Sequence, residues 1–346
     1  MHDKDVREEK SLRYAGSPQG IKVQVVHRAD EEYPFLHDTM VVPLLGKLFM
    51  AWYNCSEAEI VGKTVIRGCW SQNGGRSWSE PEIVAEDISE QIHYVPVTFQ
   101  ERNGEAYAYI TRMEGHDRPV GYECRKYREG KWIEIKSYED PLLFNTLVMP
   151  FRENHLIAGG RMAAERGELP LIPVVMISEN IAPAEWQIKS LPGPWKKGEY
   201  PFPYPETALI TEHNRITAII RGEEDTLYCY SVDGGKSWKG PMPFQIQAEG
   251  SKMYGGVLKN GKKYFVFNQR TERRDRSRLV MAVGEEYFDR LYVLRDGYDE
   301  GLDAGPFWHY PCVCECGDIL CISCTSSSKE PNVRHGILIQ IPIDSI

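Results

Sequence analysis

The chain has 346 residues, with 41 lysines and arginines against 50 aspartates and glutamates, a formal net charge of −9. That acidic surplus argues against a nucleic-acid binder, which needs a clustered basic surface for phosphate contacts. Hydrophobic residues at 42% and charged residues at 26% are the proportions of a globular chain with a sizeable core, and no run approaches the ~20 apolar residues of a membrane span. The start, MHDKDVREEK, has no apolar stretch of signal-peptide type, so the expected location is cytoplasmic. Nine cysteines at mostly alternating or isolated positions do not read as a secreted disulfide framework.

Taken in chain order, residues 1–18 read as a flexible lead-in and 19–346 as a single domain. Strand signals then dominate, rich in β-branched and aromatic residues: IKVQVV at 21–26, GKLFMAWY at 46–53, EAYAYITR at 105–112, KKYFVFNQ at 262–269 and HGILIQIPI at 335–343. Long amphipathic helical patterns are missing. Asn103-Gly104, Asn260-Gly261 and Gly317-Asp318 supply tight reversals between the runs.

Two segments repeat almost verbatim, SQNGGRSW at 71–78 and SVDGGKSW at 231–238, with weaker echoes starting at 124, 178 and 284. The steps between these five starts are 53, 54, 53 and 53 residues. In an all-β chain a regular step of that size predicts four-stranded propeller blades. Six hairpin openings in a second phase, near residues 37, 94, 145, 206, 254 and 309, give six blades. Stepping back from 71 reaches about 18, just before IKVQVV, so the amino-terminal strand is expected to complete the last blade and close the ring.

In such a ring the first strands begin around one end of the central channel, where their first residues converge with the ends of the return strands. The strand starts supply His37, Asp38, His93, Tyr94, Asn145, Glu206, Tyr254, His309 and Tyr310. The return strands end near Arg112, Arg161, Arg221 and Arg270. Four arginines in phase on an acidic protein point to an anionic ligand such as a carboxylate, which a guanidinium grips bidentately.

The two sharp repeats resemble the Asp-box, Ser-x-Asp-x-Gly-x-x-Trp, of sialidase-like proteins, with Asn73 at the aspartate position of the first. The segment PETALITEHNRITAIIRGEEDTLYCYSVDGGKSW looks like the sialidase glutamate strand, arginine and Asp-box in series. The resemblance implies that Glu206 activates a nucleophile, that Arg221 and, downstream, Arg278 in SRLVMAV bind a carboxylate, and that Tyr310 is the nucleophile. A neutral phenol suits a substrate already carrying a carboxylate at the anomeric carbon, because it avoids charge repulsion. Blade one departs from the pattern: His37 stands where an arginine is expected, and the nearest carboxylates in the following loop are Glu57 and Glu59.

The expected function is therefore a sialidase-like glycoside hydrolase acting on an acidic or unusual sugar, with the pair Tyr310 and Glu206, and with His37, Asp38 or Glu59 for acid/base chemistry. Arg112, Arg161, Tyr94, Tyr254 and His309 are further candidates for substrate binding. Two alternatives stand beside it: a propeller lyase on uronic-acid glycans using His93-Tyr94 or His309-Tyr310, and a glycan-binding propeller without chemistry. The Pro-rich approach PWKKGEY-PFPYP at 194–205 is expected to stand over the pocket. Cys312, Cys314 and Cys316 alternate on one strand face, a spacing that suits buried thiols better than a zinc knuckle, so neither metal nor cofactor is expected.

Overall fold

A computed structural model of the protein describes residues 12–163, 169–179, 181–195, 202–222, 224–297, 305–328 and 333–346. Its described residues form strands and turns, with one 3-10 turn at Ile343–Ser345. Six antiparallel sheets follow one another along the chain as the blades of a propeller. Blade 1 comprises Phe35–Leu44, Lys47–Cys55, Thr64–Ser71 and Glu82–Glu86, and blade 2 comprises His93–Arg102, Glu105–Met113, Pro119–Arg128 and Lys131–Tyr138. In blade 3 the first strand is split into Leu142–Phe144 and Met149–Phe151, followed by His155–Ala163, Leu171–Glu179 and Gln187–Ser190. Blade 4 is Thr207–Glu212, Arg215–Arg221, Thr226–Ser231 and Lys239–Pro243, and blade 5 is Tyr254–Val257, Lys263–Asn268, Arg278–Gly284 and Arg290–Asp296. Blade 6 takes Phe307–Cys316, Ile319–Ser327 and Arg334–Pro342 from the end of the chain and Lys22–Arg28 from its beginning.

The middle strands read as nearly continuous apolar runs because both of their faces are buried. Along Arg215–Arg221, Ile219 packs with Phe265 and Val280 of blade 5, whereas Ala218 and Ile220 pack with Ile157 and Val175 of blade 3. One strand thus serves two interfaces through its two-residue period.

The ring closes as the repeat arithmetic requires: Lys22–Arg28 pairs antiparallel with Arg334–Pro342. Side chains then lock blade 6 to blade 1. His27 stacks on Trp52 at 4.8 Å, Arg67 donates to Asp30 at 2.8 Å, and the Gln340 amide donates to the Gly74 carbonyl at 2.9 Å. The lead-in is not wholly outside the sheets, since Arg13–Gly16 adds a fifth, parallel strand to the outer edge of blade 5. Covering that edge removes unpaired backbone groups, which a composition-based reading of a polar terminus does not anticipate. Residues 1–11 lie outside the described residues.

The Asp-boxes sit in the turns between third and fourth strands of blades 1 and 4, and their chemistry is structural. Ser231 donates to Asp233 at 2.7 Å and accepts from the Gly235 amide at 2.8 Å, while Asp233 accepts the Lys236 and Ser237 amides at 3.0 Å each. Asn73 does the same work in the first box, accepting from Ser71 and the Ser77 amide at 3.0 and 2.9 Å. An amide oxygen replaces the carboxylate because the turn needs only an acceptor. Gly235 has φ of 83°, a conformation side chains resist, and a Cβ there would meet Ile177 of blade 3 at 2.4 Å.

Removing residues 1–30 leaves the Arg334–Pro342 strand as an open edge and deletes the contacts of His27 to Trp52 and of Asp30 to Arg67. The melting temperature is expected to fall by about 10 °C or more, and a peptide spanning 19–30 to restore much of it. Unchanged calorimetric melting of the truncated chain would show that the closure carries no stability.

Candidate active site

Two strand starts are built on the same irregularity. In blade 6 the pairing with Ile319–Ser327 slips between His309 and Cys312, and in blade 1 the pairing with Lys47–Cys55 slips between His37 and Met40. Each slip is a bulge whose second residue is left-handed, Tyr310 at φ 54° and Asp38 at φ 49°. A tyrosine or aspartate held there costs about 1–3 kcal/mol, which surrounding contacts must offset. The bulge re-aims both side chains at the head of their strands.

Glu206 is the centre of what they meet. Its carboxylate is 1% exposed and sits immediately before the first strand of blade 4. The Tyr310 hydroxyl donates to Oε1 at 2.7 Å, and Arg221 Nη1 donates to both oxygens at 3.0 Å and to the Tyr310 hydroxyl at 3.1 Å. Arg161 Nη1 reaches Oε1 at 2.9 Å. Burial alone would raise the Glu206 pKa, but Arg221 and Arg161, with the Tyr310 hydrogen bond, outweigh it and hold it down to about 2. Burial and the adjoining carboxylate push the Tyr310 phenol up instead, against the pull of Arg221, Arg276 and Arg161. At neutral pH the pair is a carboxylate and a neutral phenol. The Nε atoms of Arg161 and Arg221 are buried and have no partner among the described residues, so each guanidinium keeps an unused donor.

A second group flanks the Tyr310 ring. Lys252, just ahead of the first strand of blade 5, is buried in an ion pair with Asp38 and lies 5.2 Å from the ring centre of Tyr310. His37 packs on the same ring at 4.5 Å, and its Nδ1 is buried with no partner among the described residues. His309 bonds Ser327 at 2.6 Å through Nε2 and Arg276 at 2.9 Å through Nδ1. Burial, reinforced by Arg334 and Arg276, moves both imidazoles well below the ordinary histidine range, so they are neutral at pH 7. Arg276 gives its remaining bonds to the Gly250 carbonyl, at 3.1 and 2.8 Å. All of those partners are uncharged, unlike those of Arg161, Arg221 and Lys252.

Aromatic residues form the walls. Phe202 lies under Arg221 at 4.6 Å and Tyr204 under Arg161 at 5.9 Å, both from the Pro-rich approach, of which residues 196–201 lie outside the described residues. The Tyr204 hydroxyl donates to Asp117 at 2.7 Å, tying that wall to the loop of blade 2. On the blade 1 side the Tyr53 hydroxyl donates to Glu59 at 3.1 Å, and Glu59, exposed at the rim, lies within electrostatic reach of Arg276, Arg334 and Tyr204.

The structure thus brings together Glu206, Arg221, Arg161, Tyr310, His309, His37 and Asp38, with Glu59 at the rim. Other candidates are elsewhere. Arg278 faces Asp296 at 3.8 Å and the Tyr14 hydroxyl at 3.5 Å, because it opens the third strand of blade 5 and points to the outer edge. Arg276, two residues earlier in the loop ahead of that strand, takes the pocket position beside Tyr310 and His309. Arg112 donates to the Tyr138 carbonyl at 3.2 Å, and Arg270 to the Ala248 carbonyl at 3.1 Å. His93 bonds Thr64 at 3.0 Å, Tyr94 donates to the buried Glu123 at 3.2 Å, and Tyr254 accepts the Leu147 amide at 3.3 Å inside the core. Those three share the phase of the strand starts but not the bulge with a left-handed residue. Lys252, Arg276 and Arg334 carried no sequence signal, lying in loops or at a third strand's start.

The nine cysteines are free thiols, and Cys314 lies opposite Cys321 across paired strands. No group of three or more His, Cys, Asp or Glu residues suited to a metal ion occurs among the described residues.

A six-sheet ring with Asp-box turns and this channel-mouth cluster defines a sialidase-like β-propeller. The chain belongs to the family of BNR repeat-like domains, whose model matches residues 46–322. Among solved structures it is similar to a mutant of Trypanosoma rangeli sialidase displaying trans-sialidase activity, at 14% identity and a TM-score of 0.69, covering 96% of this chain and 60% of that one. It is similar to the NanB sialidase of Streptococcus pneumoniae at 11% identity and a TM-score of 0.68, over 93% of this chain and 71% of that one. The intramolecular trans-sialidase of Ruminococcus gnavus gives 10% identity and a TM-score of 0.65, over 95% of this chain and 98% of that one. The chain thus spans 60% of the trypanosomal structure and nearly all of the R. gnavus one, and these likenesses establish a common fold. No curated protein matches it in sequence.

The Glu206 cluster predicts a pH dependence of stability. Its pKa is about 2 in the fold against an ordinary 4.5, so the stabilisation is fully present above about pH 5 and is lost as pH falls toward 2. Wild type is expected to lose about 3 kcal/mol more than Glu206→Gln over that interval, measured by denaturant unfolding at each pH. Parallel curves would remove Glu206 from the ionic centre.

Proposed function

We propose that the protein is a glycoside hydrolase acting on a sugar that carries a carboxylate or comparable anion, through a glycosyl-tyrosine intermediate on Tyr310. The observation that carries this reading is the 2.7 Å hydrogen bond from Tyr310 to the buried Glu206, inside a ring of guanidinium groups. In the first step the Tyr310 oxygen bonds to the anomeric carbon, its proton passes to Glu206, and the aglycone leaves with a proton from Glu59. In the second step water adds to the anomeric carbon and gives its proton to Glu59. The Tyr310–carbon bond breaks, and the phenol recovers its proton from Glu206.

The assignment of the anion follows from charge balance. Glu206 offsets one of the two charges of Arg161 and Arg221, which leaves one positive charge there, and Asp38 compensates Lys252. Arg276 is sunk beside the Tyr310 ring at 5.8 Å with only uncharged hydrogen-bond partners among the described residues, and burial lowers its pKa. A desolvated guanidinium in that state favours an incoming anion strongly. The unused Nε donors of Arg161 and Arg221 extend the same preference. Trypanosoma rangeli sialidase is known in complex with sialic acid, itself a carboxylate-bearing sugar, which makes such sugars the first substrates to test.

A panel of aryl sialosides, uronides and rhamnosides tests the reading. Turnover is expected for an anionic member, with Tyr310→Phe and Glu206→Gln each lowering kcat by about 100-fold or more. Full turnover by both variants would refute the assignment. An unsaturated, ultraviolet-absorbing product in place of a new reducing end would replace hydrolysis by elimination, and tight binding without turnover would leave a glycan-binding propeller. Arg276→Met is expected to raise KM for the anionic substrate by about 10-fold or more, while Arg278→Met leaves it unchanged. Equal effects of the two substitutions would contradict the placement of the anion.

A further inference from the structure

The buried pair Asp38–Lys252 has no part in the chemistry described above. Both residues are buried, they come from blades 1 and 5, and they meet beside Tyr310. Asp38 is the left-handed residue of the blade 1 bulge, the counterpart of Tyr310 in blade 6, so the chain holds two strained positions to bring these groups together. A buried ion pair seldom stabilises a fold more than apolar residues of equal size would, which leaves this one to be accounted for by position.

We propose that Lys252 is a positioning residue for Tyr310: its ammonium, set against the face of the phenol ring and anchored by Asp38, favours the phenolate that forms when Tyr310 attacks and forms again when Tyr310 leaves. The inference rests on Tyr310 as the nucleophile. A cation over an aromatic face is attracted to the ring, and the attraction grows as the ring gains negative charge. Arg221 acts differently, binding the oxygen at 3.1 Å and Glu206 at once. The other charged or titratable groups facing Tyr310 are Glu206 of blade 4, Arg161 of blade 3, Arg276 of blade 5, and His37 and Tyr53 of blade 1. Asp38 has a second effect, since it both fixes Lys252 and offsets its charge. Removing Asp38 alone and removing the pair therefore move the phenol in opposite directions.

The experiment places 3,5-difluorotyrosine at position 310 of the full chain, bringing ionisation into an accessible pH range, and follows it by fluorine NMR. Asp38→Asn is expected to shift ionisation to lower pH. The double variant Asp38→Asn/Lys252→Met is expected to shift it above the unsubstituted value by about half a pH unit or more, and Asp38→Asn/Lys252→Arg to return it part of the way. The double variant leaves no unpaired buried charge, so it keeps the measurement possible if Lys252→Met alone does not fold. Shifts of one sign, or none, would overturn the proposal. The titration needs no substrate, so its failure is separate from retention of turnover by Tyr310→Phe, which would instead remove the nucleophile reading.

Discussion

The site depends on one buried carboxylate. Glu206 binds guanidinium groups from blades 3 and 4 and a phenol from blade 6, so three sectors of the ring meet on two oxygen atoms. An ionised carboxylate without partners at this depth would cost several kcal/mol, and each guanidinium would face the same penalty. Together they tolerate burial only in one arrangement. The ring must therefore close with the blades in correct phase before the ionic centre can form, and the centre in turn fixes the channel mouth.

The fold was legible because it is written in turn chemistry and repeat length. The acceptor-and-glycine turn of SQNGGRSW and SVDGGKSW, returning after three steps of about 53 residues, identifies a blade even where the strands between have diverged. The two-faced burial of strands such as Arg215–Arg221 keeps their apolar runs uninterrupted, and the runs mark where blades lie. The site was legible where it sits on the strands that the repeat aligns: Glu206 before a first strand, Arg161 and Arg221 on return strands, Tyr310 in a first strand.

What escaped reading follows from the same physics. Arg276 and Arg278 differ by two residues, a spacing that strand alternation cannot separate, and only the starting point of the strand decides which enters the pocket. His93, Tyr94 and Tyr254 occupy the right phase, yet their side chains end on Thr64, Glu123 and Leu147. The difference lies in backbone conformation, since the bulges at Asp38 and Tyr310 place non-glycine residues at positive φ where sequence gives no warning. Lys252 was invisible for another reason: a buried lysine is identified by its counter-ion, and Asp38 is 214 residues away.

The departure in blade 1 gains a physical meaning once these positions are known. His37 occupies the place where the sialidase pattern has an arginine, and burial keeps its imidazole neutral. Positive side chains near His37 and Tyr310 come instead from other blades, Lys252 and Arg276 on loops of blade 5 and Arg334 at the third strand of blade 6. Redistribution of this kind changes which side of the pocket is cationic without changing that it is cationic. Glu206 offsets one of the two charges of Arg161 and Arg221, blade 1 contributes a neutral imidazole and a carboxylate matched by Lys252, and Arg276 of blade 5 adds a guanidinium whose bonded partners among the described residues are uncharged. In the proposed reaction the ligand anion meets Tyr310 from the side where Arg276 and Lys252 lie over its ring. Glu59, at the rim on the blade 1 side and bonded by Tyr53, gives its proton to the leaving group in the same proposed reaction.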